Sequence, residues 1–455
     1  MNAGRFRVFC LWLADALCIL LAWAIAVYAY KLLGFGHYHA SAYLRIWPIV
    51  FVFTAINTVG RLYHGKATYP SLPFSPVEEF RRLMLSAVVT HVLVMAVLGF
   101  GHRVTEISRV VLGVSCLLTA LLAQPFRDVM RRILRKLNLG QIPAVMVGDG
   151  EAGKQVQGSF AADPYYGVRI VRRFHREELR DVVPYARERD IKHVLCCYKD
   201  NRYFVSQMPE LTTWFSYILY IPTAMAFPVS DARAAMLGLL GGLEMANFRR
   251  MKLLTMEKGI VDRLLAGVIF ILSIPFFVFV PMLIKLTSKG PVFYKAKRLG
   301  KKGQTIYVWK FRSMYADADR RLDALLASTP SLKAEFEKDF KLKNDPRVTP
   351  LGKFLRKASI DELPQLFNVF WGEMALVGPR PIVEKEISYY GKSYEIFSSV
   401  KPGITGLWQA SGRSDCDYAE RVALDVHYIL NWSPWMDLWI VFRTVAAVLK
   451  MKGSY

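Results

Sequence analysis

The segment "VDRLLAGVIFILSIPFFVFVPMLIKLTSKGP", residues 261–291, decides how the rest of the chain is arranged. It is apolar and long enough to cross a bilayer, which takes roughly 20 residues. Its flanks argue against a crossing. Arg263 lies at its start, and Lys295, Lys297, Arg298, Lys301, Lys302, Lys310 and Arg312 follow at once, so both ends carry the positive charge of a cytoplasmic face. Pro275 stands mid-segment, lacks an amide donor and should kink a helix there. A re-entrant hairpin over 261–287 that dips into the bilayer and returns satisfies both signals; an ordinary fifth span with a proline kink is the alternative. Backbone freed at membrane depth must find a partner, and Ser273 is a candidate.

Outside this segment the composition agrees. The chain has 455 residues, 53% of them hydrophobic, and a net charge of +23, enough for two or three domains. High apolar content with strong basicity fits a membrane protein whose cytoplasmic face collects Lys and Arg, not a soluble enzyme. Residues 9–30, 44–63, 83–101 and 109–126 read as four further spans, a compact bundle over 1–135. Asp15 and His91 lie inside the first and third, each either an ion or substrate contact or a polar group facing neighbouring helices. Arg5, Arg7, Arg61, Lys66, Arg81, Arg82, Arg127, Arg131, Arg132, Arg135 and Lys136 place the N-terminus and everything after the fourth span in the cytoplasm. No cleavable signal is evident. Six cysteines without a paired C-x-x-C spacing suit a reduced compartment.

Residues 136–250 read as a soluble, Rossmann-like α/β domain. In "IPAVMVGDGEAGKQV", Gly148, Gly150 and Gly153 form G-x-G-x-x-G between a strand and a helix, which is either a nucleotide site or close helix–strand packing. The acidic residue expected about 20 positions on is not clear: Asp163 comes early, followed by Pro164. A regulatory or assembly role is the plainer reading.

Residues 251–455 carry the chemistry. In "KASIDELPQLFNVFWGEMALVGPRP", Asp361 and Glu362 head a helix. Ser359 and Glu362 fit a capping box, or Asp361 caps with Pro364 in the first turn; either way the helix dipole favours the ionised carboxylates. As bare caps they would mean little. Arg347, Arg356, Arg380 and Arg413, however, come from short Gly- and Pro-rich segments, which hold phosphate oxygens in fixed geometry. A carboxylate attacking a phosphoryl group needs such neutralisation, and a divalent cation such as Mg2+ would add to it. The run 295–312, interleaved with Tyr307, Trp309 and Phe311, suits anionic headgroups and a diphosphate substrate as well as nucleic acid, and the adjacent membrane segment favours the former. Trp432, Trp435, Trp439 and Phe442 suit either the headgroup level or core packing.

"GPVFYKAKRLGKKGQTIYVWKFRSM", "NDPRVTPLGKFLRKASIDELPQLFNV", "GEMALVGPRP", "KPGITGLWQASGR" and "NWSPWMDLWIVFRTV", in that order, resemble the bacterial sugar transferase family, the monotopic phosphoglycosyl transferases. The likeness is collinear from about residue 260 onward; the four spans and middle domain resemble the large subclass. The resemblance implies an inner-membrane enzyme with its catalytic domain on the cytoplasmic face. It would transfer a sugar-1-phosphate from a UDP-sugar to undecaprenyl phosphate, initiating O-antigen, capsule or exopolysaccharide synthesis. Asp361 matches the nucleophile, which expels UMP and forms a covalent phospho-sugar, and Glu362 its Mg2+-associated partner. Arg298, Lys310, Arg312 and Arg380 match basic positions near the phosphates, and Pro275 the re-entrant kink. Where the family usually has Ser directly before that proline, Ile274 stands here and Ser273 one place earlier. "EFEKDFKLKNDPR" and "RPIVEKEI" look most like members that transfer galactose-1-phosphate, with glucose-1-phosphate the alternative. Membrane lipids and downstream glycosyltransferases are implied partners, nucleic acid is not, and a homodimer is one arrangement left open. The rivals are a membrane-anchored NAD-dependent sugar-nucleotide oxidoreductase or epimerase, resting on the glycines, and a non-catalytic scaffold.

Overall fold

In the computed structural model the chain divides into two units, Met1–Ala226 and Phe227–Tyr455. The structure describes residues 3–34, 47–63, 75–100, 108–148, 153–154, 156–158, 165, 167–198, 201–222, 233–237, 240–244, 252–315, 317–318, 320, 322, 345–411 and 418–449. Arg413, Gly150, Asp163 and Cys416 lie outside them.

The first unit opens with α1 (Ala3–Leu32), α2 (Ile49–Val59), α3 (Pro76–Phe100) and α4 (Arg109–Lys136). Three of these are long and apolar enough to cross a membrane; α2 is not. The span expected over 44–63 is a helix of 11 residues, bounded by Pro48 and Gly60. At 1.5 Å per residue it covers about half of the hydrocarbon thickness. The four helices share a core of small and aliphatic side chains, among them Cys18, Ile19, Phe53, Leu83, Ala87 and Ala123.

Buried charge crosses that core. Arg127 in α4 is fully buried, donating to both oxygens of Asp15 at 2.8 and 2.5 Å and to Glu79 at 2.8 Å. Arg131, one turn on, grips both oxygens of Glu79 at 2.9 and 2.6 Å. Asn57 and Tyr63 complete the shell of Asp15. His91 bonds the Ala87 carbonyl and Ser115. Asp15 and His91 thus face neighbouring helices. Arg127 and Arg131, read from sequence as cytoplasmic charges flanking the fourth span, are internal partners, because two buried carboxylates need buried cations.

The α/β part contains β1 (Ile142–Gly148), β2 (Val168–Phe174), α5 (Leu179–Glu188), β3 (His193–Tyr198), α6 (Asn201–Thr212) and β4 (Tyr217–Pro222). Its sheet is parallel with strand order β2-β1-β3-β4. Strands β1 and β3 are almost wholly buried apolar runs, as a sheet covered on both faces requires. Gly148 ends β1 where a Cβ would collide with the Cys197 carbonyl of β3, and a Cβ on Gly153 would press on the Arg173 guanidinium at 3.0 Å. Close packing against β3 therefore accounts for Gly148, whereas at Gly153 only the flexible end of the Arg173 side chain would have to yield.

In the second unit β5 (Arg233–Leu237) and β6 (Leu240–Glu244) form an antiparallel pair, ahead of α7 (Lys252–Thr287), a helix of 36 residues with Pro275 and Pro281 inside. β7 (Phe293–Leu299) and β8 (Thr305–Phe311) form an antiparallel hairpin. After α8 (Pro350–Lys357) and a 3-10 turn at Ile360–Glu362 come α9 (Gln365–Phe370), β9 (Ala375–Val377), α10 (Ile387–Tyr390) and α11 (Tyr394–Ser398). β10 (Gly403–Thr405), α12 (Leu407–Ala410), α13 (Tyr418–Leu430) and α14 (Pro434–Leu449) complete it. Val280 and Ile284 of α7 pack with Phe311 and Leu355. Phe270 meets Phe367 and Phe370, and Lys258 near the start of α7 reaches Asp437 at 2.6 Å. Ser273 donates to the Ile269 carbonyl at 2.7 Å, not to the Ile271 carbonyl that Pro275 leaves without its amide donor. Trp432 and Trp439 are buried, so core packing is the reading that holds for them.

Candidate active site

The site is assembled from a hairpin, a turn and two crossing glycine loops. Side chains two apart on a strand share a face, so Ala296 and Arg298 of β7 line up with Val308 and Lys310 of β8. Ala296 pairs directly with Val308. Together they form one wall of a cleft of about 340 Å³, including the part open to solvent, also lined by Glu362, Gln365, Arg380, Pro381, Ile404 and Gln409.

Asn368 fixes the hairpin to the turn that carries the carboxylates. Its amide donates to the Tyr307 carbonyl at 2.8 Å, and its oxygen accepts from the Trp309 amide at 3.1 Å. That clamp brings Lys310 to Glu362, where Nζ donates to Oε1 at 2.7 Å.

On the opposite side "VGPRP" crosses "KPGITG". The Gly378 amide donates to the Thr405 carbonyl at 2.9 Å, and the Gly403 amide to the Pro379 carbonyl at 2.8 Å. A Cβ on Gly378 would lie 2.8 Å from the Gly403 nitrogen, and one on Gly403 would collide with Gly378 in turn. Only glycine lets these backbones meet. The Leu299 amide then donates to the Ile382 carbonyl at 2.8 Å, which ties the crossing back to β7 and points the Gly-Pro-Arg-Pro turn at the cleft.

The turn itself departs from the expected helix cap. Ser359 is left-handed (φ 56°, ψ 20°) and its side chain makes no cap bond; Ile360–Glu362 is a 3-10 turn, and Pro364 precedes a helix of six residues. Neither capping scheme is formed. The left-handed Ser359 stops α8 and swings Asp361 inward, at a cost of roughly 1–2 kcal/mol. Asp361 is 6% exposed. Burial pushes its carboxyl up to about 6; Lys310 and Arg356 pull it down, and Glu362 adds to the rise. The expectation that a helix dipole favours ionisation here fails, because so short a helix offers little field and desolvation outweighs it. The result is a carboxylate more basic than usual yet largely ionised at neutral pH.

The basic residues divide. Arg298, Lys310 and Arg380 meet in the cleft with Glu362. Burial lowers Arg298, with the Arg380 charge adding to the effect. Arg356 is held by Ser313 at 2.9 Å; burial lowers it, against the pull of Asp361. Arg312 closes the end of α7, donating to the Lys289 and Ser288 carbonyls at 3.0 and 2.7 Å. Arg347 forks onto Asp345. Gln365, Asn368, Trp408 and Gln409 were not singled out from sequence, although Gln365 and Asn368 lie in the same motif as the carboxylates and Trp408 and Gln409 in "KPGITGLWQASGR". Among the described residues no group of three or more His, Cys, Asp or Glu could hold a metal.

A carboxylate pair beside a cationic cleft, next to a long apolar helix, is the arrangement expected of an enzyme that handles anionic substrates at a membrane. The chain belongs to the bacterial sugar transferase family, whose model matches residues 253–451. An uncharacterized sugar transferase of Haemophilus influenzae is 31% identical over 100% of both chains. The undecaprenyl-phosphate galactose phosphotransferase of Salmonella typhimurium is 31% identical over 83% of this chain and 82% of its own. The UDP-glucose:undecaprenyl-phosphate glucose-1-phosphate transferase of Escherichia coli is 31% identical over 71% of each.

Proposed function

We propose that this protein transfers a sugar-1-phosphate, galactose-1-phosphate in the first instance, from a UDP-sugar to undecaprenyl phosphate, starting a surface polysaccharide. The observation that carries this reading is the buried, basic Asp361 beside Glu362, the latter opening onto a cleft lined by Arg298, Lys310 and Arg380. Asp361 attacks the phosphorus that bears the sugar: an Oδ–P bond forms, the P–O bond to UMP breaks, and UMP leaves. Undecaprenyl phosphate then attacks the same phosphorus and frees Asp361. Arg298, Lys310 and Arg380 neutralise the phosphate oxygens throughout.

Magnesium belongs to the same proposal, since Mg2+ commonly takes one or two carboxylates and completes its shell with phosphate and water, and at Glu362 it would take the place of Lys310 on Oε1. Glu362 is the carboxylate that lines the cleft. Bound there, the ion would stabilise charge on the diphosphate.

The re-entrant course of α7 is part of the same proposal. Pro275 removes an amide donor midway along the helix, and Lys258 before it and Ile284 after it both pack on the one C-terminal body, which is the arrangement a segment that bends near Pro275 and returns would have. The catalytic body then lies on the cytoplasmic face of the inner membrane. Galactose is preferred over glucose because the galactose-named relative matches more of the chain. The oxidoreductase reading gains nothing from Gly148, whose close approach to the Cys197 backbone explains it.

The test is UMP release from UDP-sugars by detergent-held protein with Mg2+, with and without undecaprenyl phosphate, comparing the wild type with Asp361→Asn. A phospho-sugar adduct formed without acceptor, and absent from the variant, is the expected result. Wild-type turnover by the variant would sink the reading.

A further inference from the structure

Beyond the phosphate side of the cleft lies a cluster of polar atoms that the mechanism does not use. Arg380, which lines the cleft, approaches the Trp408 ring at 5.9 Å, and Arg421 of α13 approaches the same ring at 4.9 Å. Gln409, adjacent to Trp408, also lines the cleft. Behind them Asp425 is fully buried, with Oδ2 accepting from the Tyr390 hydroxyl at 2.8 Å. Five buried atoms here have no hydrogen-bond partner among the described residues: Trp408 Nε1, Gln409 Oε1, Arg421 Nε and Nη2, and Asp425 Oδ1. Buried polar atoms are nearly always satisfied, so a concentration of five in one place calls for a ligand or water that supplies both donors and acceptors. The diphosphate diester of a sugar nucleotide cannot do so: fully ionised, it offers acceptors only, and would leave Gln409 and Asp425 facing like-signed oxygens. A hydroxyl both donates and accepts. The indole ring adds a flat apolar surface beside these groups.

We propose that Trp408, Gln409, Arg421 and Asp425 form a subsite for a neutral, hydroxylated ring of the sugar nucleotide, next to the Arg298–Lys310–Arg380 phosphate site. The subsite rests on the transferase reading above. In it Arg421 and Trp408 donate to ring oxygens, Gln409 and Asp425 accept ring hydroxyl protons, and the indole face covers the ring. The chemistry is shared by two parts of the substrate, the transferred hexose and the ribose.

The test uses the full chain in detergent and measures KM for adduct formation with UDP-galactose and with analogues lacking one hydroxyl at a time, on the hexose or on the ribose. Wild type is compared with Gln409→Ala, Arg421→Lys and Asp425→Asn, and thermal midpoints accompany each variant. The wild type should penalise the loss of at least one hydroxyl about tenfold, as a site built to bond a hydroxyl does. Gln409→Ala and Arg421→Lys should raise KM for the complete substrate about tenfold and erase that penalty; which ring shows it identifies the occupant. Asp425→Asn tests the same bond from the core, and Gln409→Ala, at the cleft edge, keeps the test valid if the core variant unfolds. Penalties that persist in folded variants, or a KM unmoved by all of them, would overturn the subsite and leave bridging water as the partner. A wild type that forms no adduct with any sugar nucleotide would overturn the transferase reading itself, and the subsite with it.

Discussion

Replacing Asp361 by Asn should abolish adduct formation and, in the same protein, raise stability. A carboxyl lifted from 3.8 to about 6 by folding loses roughly 3 kcal/mol of preference for its ionised form. Asp361 shares Lys310 with Glu362, which keeps that partner in the variant, so about 2 kcal/mol is the gain to expect. For a domain of about 200 residues this corresponds to roughly 4–8 °C in thermal midpoint. The sign follows from proton binding. Between 3.8 and about 6 the folded state holds a proton that the unfolded state releases, so the penalty is complete above pH 6 and fades as pH falls toward 4. Thermal midpoints of wild type and variant at pH 8 and pH 5 give the assay. The variant should lead at pH 8, by a margin that narrows at pH 5. A variant that is no more stable at pH 8, or a gap indifferent to pH, would refute a desolvated nucleophile.

Further outcomes follow from the same geometry. Lys310→Met removes a cation that lowers Asp361, so the acid limb of the rate profile, expected near pH 6, should move to higher pH and adduct formation should drop by about two orders of magnitude. Ser359→Gly relieves the left-handed backbone before Asp361 and should stabilise the protein by about 1 kcal/mol in denaturant melts, while slowing adduct formation through a looser turn. Gly403→Ala forces apart the crossing that aims Arg380; KM for the UDP-sugar should rise at least tenfold. Arg127→Gln strands Asp15 in the bundle, while Glu79 keeps Arg131, and should cost about 3–5 kcal/mol by thermal size-exclusion, with partial recovery when combined with Asp15→Asn.

Much of this protein is determined locally and was legible without coordinates. Apolar runs mark membrane helices because partitioning depends on composition over a stretch of about 20 residues. The residues Asp361, Glu362, Arg298, Lys310 and Arg380 are named by motifs, since a turn such as Gly-Pro-Arg-Pro is set largely by its own covalent geometry. What the tertiary structure decided is everything that depends on which distant groups meet. The inward rotation of Asp361 and its elevated basicity come from burial and a left-handed serine, neither of which a motif records. The seven basic candidates look alike in the sequence. Three-dimensional packing sends Arg312 to the end of α7, while Arg298, Lys310 and Arg380 reach the cleft; Arg347 is taken up locally by Asp345, two positions before it. Arg127 and Arg131 likewise appear as flanking charges until the fold supplies Asp15 and Glu79 from helices far away in sequence. Desolvation and ion pairing are properties of neighbours in space, and for Arg127 and Arg131 the carboxylates of Asp15 and Glu79 lie between about 50 and 110 positions away along the chain.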